Sequence, residues 1–531
     1  MTHYKIILTA DETMMSNYGG RLFLGFLSTG PTKGFIPAPL MEKFILTPVP
    51  SDSNGRAILA PHGLRRVEAA LIDSGVVKPN EIITVHPKNL HKVVSKHTKA
   101  ILVSAIDPLG MGPASTTFAG PYGAIHAESF TKRKFRELIC SEIVQKVRRE
   151  NKGIIMVGGP GAWQITEDVM YDYGIDITII GEGEKIVPEL VSKILDGWIP
   201  EKPLIVHVPR DKIPKANEIP ILKGATIGGI VEISRGCGRG CKFCSPTLRI
   251  LRHRSIDDIL KDVEVNVKNG QNSICLHAED VLQYGGTPFK KKPEKVIELF
   301  KSVKSVEGVK AIGISHASLA SIAEMPNIVH EISEIIGLTE KRWMGFQTGI
   351  ETGSPRLIEK LMRFKPYPFK PKDWPDVVEQ AFGIANDNHW VPAATLIVNL
   401  PGETEDDIVK TTELVERLKP YKSLIVPLLF VPFTPIEGCK RMRLLEDATL
   451  EHWELYRAIW NHDMYWLRKI TSEYVANTGI LIYRGTALFI KLFVDFIVWY
   501  ANRKVQKYID RSIERARKAK LVRTIGVSTQ T

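Results

Sequence analysis

Three cysteines close together in the middle of the chain are the residues best suited to chemistry. Cys237, Cys241 and Cys244 follow a short β-branched run and are separated by three and then two residues. Glycines at positions 236, 238 and 240 let the backbone turn tightly, so that three thiolates can converge on one inorganic centre. Three ligands are one fewer than a closed zinc site or a fully cysteine-ligated cluster uses. The loop therefore predicts an iron–sulfur cluster with one open iron, or a zinc site completed by a distant ligand such as His253.

Further along the chain, acidic and glycine-containing turns follow several predicted strands. Glu279 comes after one apolar run, Glu351 to Ser354 after a second, and Asn399 to Gly402 after a third. Strands and helices alternate from about residue 225 to 435, which places these turns at the C-terminal ends of strands. That edge is where barrel enzymes bind their ligands. Each turn taken alone is also explained as a helix cap.

The cysteine spacing, with Phe243 directly before the last cysteine, resembles the cluster loop of radical S-adenosylmethionine enzymes. Gly349–Ser354 is similar to that family's ribose-contacting motif, and Asn399–Thr404 to its motif beside the adenine. The resemblance implies a partial (β/α)6 barrel, S-adenosylmethionine on the open iron, and a one-electron donor such as ferredoxin or flavodoxin. It places a [4Fe–4S] cluster on the three cysteines, and it implies that the following residues contact S-adenosylmethionine: Phe243, Glu279, Glu351, Ser354, Asn399 and Gly402. It assigns no catalytic residue that returns or relays hydrogen.

Upstream, residues 57–200 alternate continuous apolar strands with helices, which predicts a doubly wound, Rossmann-like parallel sheet. Two glycine-rich turns follow strands and resemble those of the cobalamin-binding domain of B12-dependent radical enzymes. The residues expected to approach the cofactor there are Gly158, Gly159, Gly181, Glu182 and Gly183. The nearest match to the motif that supplies histidine to cobalt, Asp107–Gly110, contains no histidine. Two alternatives stay open: cobalamin without a histidine lower ligand, or a pocket used by substrate.

Composition limits the class of protein. The chain has 531 residues, 44% of them hydrophobic and 24% charged, which is ordinary for a globular protein of about three domains. Six cysteines in so long a chain do not make a disulfide scaffold. Met1–Thr9 reads as a first strand and not as a secretory leader. We therefore expect a cytoplasmic protein.

The net charge of +12 is concentrated after Arg503, and the C-terminal region is predicted to be helical and rich in aromatic residues. Charged residues interrupt the apolar stretch 480–500, which argues against a membrane-spanning helix. It is either an interfacial amphipathic helix at the inner membrane face or a helix packed on the barrel. The expected domains are a cap plus cobalamin-binding-like domain over 1–200, a linker over 201–224, the radical barrel over 225–435 and a helical domain over 436–531.

The layout resembles that of archaeal tetraether-lipid ring synthases, so the first expectation is hydrogen abstraction from a hydrophobic membrane lipid, leading to C–C bond or cyclopentane ring formation. The alternative is a cobalamin-dependent radical C-methyltransferase. A third hypothesis, an RNA-modifying enzyme, is disfavoured because the remaining cysteines, Cys140, Cys275 and Cys439, are scattered. A helical tail also argues against nucleic acid as partner.

Overall fold

The computed structural model describes residues 3–20, 22–34, 37–433, 440–477 and 484–528. The chain forms two compact units, and it passes between them several times. The first contains residues 1–235, 252–277 and 302–312, and the second contains 236–251, 278–301 and 313–531. The domain boundaries expected from the sequence stay a prediction.

Six parallel strands form the main sheet of the first unit. Their order in space is Ile82–Thr84, Ile6–Ala10, Ala100–Ser104, Ile154–Gly158, Ile177–Ile180 and Leu204–His207. Alternate side chains of each strand enter two separate apolar cores, with Ile6 and Leu8 in one and Ile7 in the other. Helices cover both faces, as continuous apolar strands require. They are His62–Asp73, Leu90–Val93, Pro113–Phe118, Phe130–Ile139, Glu142–Asn151, Glu167–Tyr173 and Ile186–Leu195.

Two local expectations differ from the structure. Segment 201–224, expected to be a linker, contributes Leu204–His207 as the outermost strand of this sheet. Its three half-buried residues followed by the exposed His207 suit an edge strand, which the surrounding prolines and lysines obscure in the sequence. The sequence has a helical pattern over Arg133–Glu150, but the structure divides it into two helices at Cys140 and Ser141, where the Ser141 hydroxyl donates to the Leu138 carbonyl at 2.7 Å.

The first unit also contains the first strands of the predicted barrel. Ile230–Glu232 pairs in parallel with Ser273–His277, the helix Ile256–Lys268 lies between them in sequence, and Ala311–Ile314 completes a three-stranded sheet. A shorter parallel pair joins Leu59–Ala60 to Ala225–Thr226.

The second unit contains three parallel strands, Met344–Glu351, Trp390–Val398 and Leu424–Leu429. Gln347 donates to the Ser315 carbonyl at 2.9 Å and accepts from Ala317 at 3.2 Å, which extends the ladder by one parallel bridge. The six strands that the sequence predicts for one partial barrel form two three-stranded sheets in the structure. The helices of this region are Pro293–Ser305, Leu319–Glu324, Pro326–Ile336, Pro355–Met362, Trp374–Asp387, Glu405–Arg417 and Leu444–Asp447.

Two long helices, Leu450–Asn477 and Arg484–Ser528, form the helical C-terminal region. The first packs on Glu405–Arg417 and Leu424–Leu429, and the second packs on the first. No helix in the described part of the chain combines the length and apolar character needed to cross a bilayer. Of the apolar side chains expected on one face of 480–500, only that of Tyr500 is described, and it is exposed. The others expected there are Phe489, Leu492, Phe493 and Phe496.

Candidate functional site: the cysteine loop

The cysteine loop is closed by backbone contacts. Cys237 donates its N–H to the Leu248 carbonyl at 2.9 Å. Gly236, Gly238 and Gly240 all have positive φ, and a Cβ on Gly236 would lie 2.3 Å from the Ile250 carbonyl oxygen. Only glycine allows this turn without strain. The glycines between the cysteines are therefore explained by the shape of the loop.

The three cysteines form a donor set that fits an iron–sulfur cluster. The Cys244 thiol hydrogen-bonds the Cys241 sulfur, which with the nearby Lys365 ammonium lowers the pKa of Cys241 to about 7 despite its burial. A lowered pKa favours the thiolate that metals bind, whereas the hydrogen bond to Cys241 and burial raise the pKa of the Cys244 thiol. No three His, Cys, Asp or Glu side chains of the described ranges converge on one metal ion. A cluster instead attaches its cysteines to separate irons. His253, the alternative zinc ligand, lies 2.7 Å from the Ser234 hydroxyl through Nδ1.

Arg239, inside the loop, is a residue that the sequence analysis missed. Its guanidinium is buried and donates to the Lys365 carbonyl at 2.8 Å, to Asp280 at 3.1 Å, and to the hydroxyls of Ser318 and Ser321 at 2.9 and 3.1 Å. Burial would raise the pKa of Asp280, but the Lys291 and Arg239 charges lower it below its usual value. Arginine supplies this many donors in a fixed plane. No local sequence pattern signals these partners, since they come from distant segments.

Glu351, expected at the ribose, lies on a register irregularity of its strand with φ of 63°. Its carboxylate pairs with Lys365 at 2.9 Å and accepts from the Thr395 hydroxyl at 3.2 Å. Burial alone would lower the pKa of Lys365, but Glu351 and the Cys241 sulfur raise it above its usual value. Glu351 therefore lies within electrostatic reach of the cysteines through Lys365.

Ser354 and the Asn399–Gly402 turn have structural roles in the protein. Ser354 is fully buried, caps the helix Pro355–Met362 and donates to Asp407 at 2.5 Å. Asn399 has φ of 67°, donates its backbone N–H to Glu403 at 2.7 Å and its side-chain amide to the Lys440 carbonyl at 2.8 Å. Gly402 has φ of 79°. Their contacts to S-adenosylmethionine stay predictions, and the Ser354 hydroxyl is already used.

Phe243 and Glu279 lie beside the cysteines. The ring of Phe243 is half-buried and meets Phe430 edge-on, with 6.5 Å between ring centroids. Glu279 is also half-buried, and its negative charge adds to burial in raising the pKa of Cys237. The loop thus brings Cys237, Cys241, Cys244, Glu279 and, through Lys365, Glu351 into one region of the second unit.

The glycine-rich turns of the first unit are partly explained by packing. A Cβ on Gly159 would lie 2.7 Å from the Ala105 carbonyl oxygen, and one on Gly181 would lie 2.7 Å from Val208 Cβ. Both have φ near or above 100°, a region that excludes other residues. A Cβ on Gly183 would lie 3.1 Å from the Val187 side chain, whereas a Cβ on Gly158 would lie 3.9 Å from Ile179. At Gly158 a Cβ would be in ordinary van der Waals contact with Ile179, so sterics do not require glycine there.

Glu182, expected to approach a cofactor, is held by two arginines. It accepts from Arg235 at 2.5 Å and from Arg252 at 2.6 and 3.1 Å. Its side chain is 10% exposed. This placement leaves little of the carboxylate for a bound nucleotide tail.

The fold and the cysteine loop together define the class. Residues 231–415 match the model of the Radical SAM superfamily, so this part of the chain is a radical S-adenosylmethionine domain. Such a domain uses a [4Fe–4S] cluster and S-adenosylmethionine, and reduction of the cluster requires an electron donor. Cys237, Cys241 and Cys244 are the residues that would hold the cluster.

Among named proteins, the chain is 28% identical over 232 residues to the ribosomal protein uS12 methylthiotransferase RimO of Leptospira biflexa, covering 43% of this chain and 46% of that protein. It is 29% identical over 235 residues to the RimO of Thermotoga maritima, covering 44% and 50%. The chain thus spans about half the length of the curated relatives it matches.

Among solved structures, it resembles the radical S-adenosylmethionine methyltransferase TsrM of Kitasatospora setae, whose structure contains cobalamin and a [4Fe–4S] cluster. The TM-score is 0.51 at 13% identity, covering 80% of this chain and 75% of that one. This likeness shows a shared fold. None of these relatives supports the expected lipid ring synthase.

Proposed function

We propose that the protein is a cobalamin-dependent radical S-adenosylmethionine methyltransferase. The observation that carries this proposal is a parallel six-stranded sheet followed by a three-cysteine radical domain, in a chain that aligns with the TsrM structure over 80% of its length. The relatives that it matches in sequence transfer methylthio groups. Of the cysteines outside the loop, Cys140 is exposed at a helix end and Cys275 lies in a strand, so these two do not form a second cluster site. The lack of a second cluster site at these two cysteines favours methyl transfer over methylthio transfer.

Asp107–Gly110 contains no histidine, so the first unit would hold cobalamin without a histidine lower ligand. Sheets of this kind bind ligands beyond the C-terminal ends of their strands, and Gly158 is the last residue of a central strand. Bound there, cobalamin would supply the methyl-carrying chemistry. The protein's own contribution is to place the reactants and exclude water. The radical domain would contribute Phe243, Glu279, Glu351 and the Asn399–Gly402 turn to S-adenosylmethionine.

The test is anaerobic reconstitution of the full chain with iron, sulfide and cobalamin. We expect about four irons per chain, stoichiometric cobalamin after desalting, and loss of labelled methyl from S-adenosylmethionine only when cobalamin is present. Cys241→Ala should lower the iron content sharply and Cys140→Ala should not, because Cys140 lies outside the loop. A protein that forms 5′-deoxyadenosine while retaining no cobalamin would contradict the methyltransferase and leave the radical domain intact.

We also infer that the second C-terminal helix contacts an anionic membrane surface through charge. Five exposed basic residues recur every three or four positions on one helix face: Lys504, Lys507, Arg511, Arg515 and Lys518. The opposite face buries Ile509 and Ile513. Basic residues on one face attract anionic lipid headgroups at about 1 kcal/mol each.

A further inference from the structure

The cysteine loop begins and ends next to two arginines that face each other. Ser234–Arg235 pairs antiparallel with Arg252–His253, and the register places Arg235 directly opposite Arg252. The cysteine loop, residues 236–251, lies between them in the chain. Its shape therefore depends on this two-residue stem staying closed.

Like charges directly opposite each other on paired strands destabilise the pairing. Both arginines are mostly buried, with side chains 16% and 11% exposed, so water screens their repulsion poorly. A stem of this composition needs an anion that bridges the two guanidinium groups.

Glu182 is that anion. Its Oε2 accepts from Arg235 at 2.5 Å and from Arg252 at 3.1 Å, and its Oε1 accepts from Arg252 at 2.6 Å. Arg235 has two further carboxylates, Glu232 at 2.7 Å and Glu184 at 2.8 Å. Within the described ranges, Glu182 is the only carboxylate at ion-pair distance from Arg252. Arg252 otherwise donates to the Pro214 carbonyl.

We propose that Glu182 is a positioning residue, which holds the base of the cysteine loop closed by neutralising the facing pair Arg235 and Arg252. Glu182 lies in the turn after the strand Ile177–Ile180, so the sheet of the first unit fixes its place. The turn that looked like a cofactor contact in the sequence thereby acts on the cluster-binding loop.

The test compares Glu182→Gln, Arg252→Gln and the double variant in the reconstituted full-length protein. The matched control is Glu189→Gln, which removes an ion pair with Lys212 on the helix that follows the same turn. Two readouts are used: the rate of tryptic cleavage after the exposed Lys242 and Arg249, and the electron paramagnetic resonance spectrum of the reduced cluster with and without S-adenosylmethionine.

Glu182→Gln leaves Arg252 without a carboxylate partner opposite Arg235, which keeps Glu232 and Glu184, so we expect cleavage within the loop to rise about tenfold and the cluster spectrum to become heterogeneous. Arg252→Gln removes one of the cations and should open the loop less. Cleavage of the double variant should fall back toward the rate of the single Arg252→Gln variant, because the repulsion between Arg235 and Arg252 is gone. Glu189→Gln should match the wild type in both readouts.

A double variant that cleaves as fast as Glu182→Gln, or faster, would overturn the proposal. It would also fall if Glu182→Gln left cleavage unchanged but lost cobalamin, since the carboxylate would then be a cofactor ligand. Should Glu182→Gln fail to fold, the double variant still decides, because it lacks the repulsion and is expected to fold. The cleavage assay needs no cobalamin or substrate, so failure of the proposed methyltransferase activity leaves this test valid.

Discussion

Arg239 shows what one residue contributes to the cysteine loop. Its buried guanidinium joins the loop to the Lys365 carbonyl, to Asp280 and to two serines, all through hydrogen bonds. Lys365 in turn pairs with Glu351. Through Lys365, Arg239 therefore connects the cysteine loop with Glu351, which is expected to contact S-adenosylmethionine.

Removing Arg239 should lower both the stability of the folded protein and its capacity to hold iron. Arg239→Ala leaves Asp280 without one of its cationic partners in a buried site, where loss of one partner typically costs about 3–5 kcal/mol. We expect Arg239→Ala to have a lower melting temperature than the wild type and a lower iron content after reconstitution. Arg239→Lys should lie between Arg239→Ala and the wild type, because lysine keeps the charge but not the planar set of donors. Arg249→Ala, an exposed arginine of the same loop, is the control. Unchanged iron content in Arg239→Ala would show that the loop holds without it.

Ser354 illustrates how a residue read as a ligand can serve a helix. Serine followed by proline is a common start of a helix, because the hydroxyl caps free N–H groups and proline needs no N–H partner. Ser354 and Pro355 start the helix Pro355–Met362 in this way. The capping signal was therefore present in the sequence. What the sequence did not show is the long-range bond from Ser354 to Asp407.

At the scale of elements, Asp463 joins the helix Leu450–Asn477 to the strand Leu424–Leu429. Its carboxylate accepts the Ile425 N–H at 2.8 Å, but burial is the larger effect and raises the pKa of Asp463 to about 8. In the unfolded chain the carboxyl titrates near ~3.9. The folded state therefore holds this proton more tightly, and the resulting stabilisation is present below about pH 4 and is lost as pH rises through 8.

Asp463→Asn keeps an acceptor for the Ile425 N–H and cannot ionise. Its stability relative to wild type should therefore increase by about 2 kcal/mol between pH 6 and pH 9. Thermal denaturation at several pH values in this range measures the difference. Asp387→Asn, at an exposed helix end, is the control and should not show this trend. A constant difference across the range would contradict a buried, titrating Asp463.

Most strands and helices could be predicted, because their apolar periodicity is local. The strand Ile6–Ala10 overlaps the predicted strand Met1–Thr9, and Ala100–Ser104 and Ile154–Gly158 lie within the strand–helix alternation predicted for residues 57–200. The cysteine loop is also local, and the match over 231–415 confirms its family. Glu182 was misleading because its partners are 53 and 70 residues away in sequence. Charge pairs of this kind depend on tertiary contacts that no short motif encodes.

At the scale of the whole molecule, the net charge of +12 should make association with anionic surfaces depend on salt. We expect the protein to sediment with vesicles that contain anionic lipid at 0.1 M salt and to be released at about 0.5 M, where charges are screened. Lys507→Glu with Arg511→Glu should weaken sedimentation strongly. Lys301→Glu with Lys304→Glu, on the helix Pro293–Ser305, is a matched control that changes net charge equally. Equal loss in both variants would show that total charge matters, and binding to RNA alone would exclude the membrane.

The division of the chain into units limits how its parts could be exchanged between proteins. Residues 252–277 and 302–312 fold with the N-terminal unit, and Arg66 there binds Asp262 at 2.5 Å. Leu204–His207 also completes the N-terminal sheet. A chimera joined at residue 200 would therefore separate a strand from its sheet and a buried arginine from its counterion. Recombination that preserves folding must therefore carry residues 201–277 together with the N-terminal part, across the boundary that the sequence suggests.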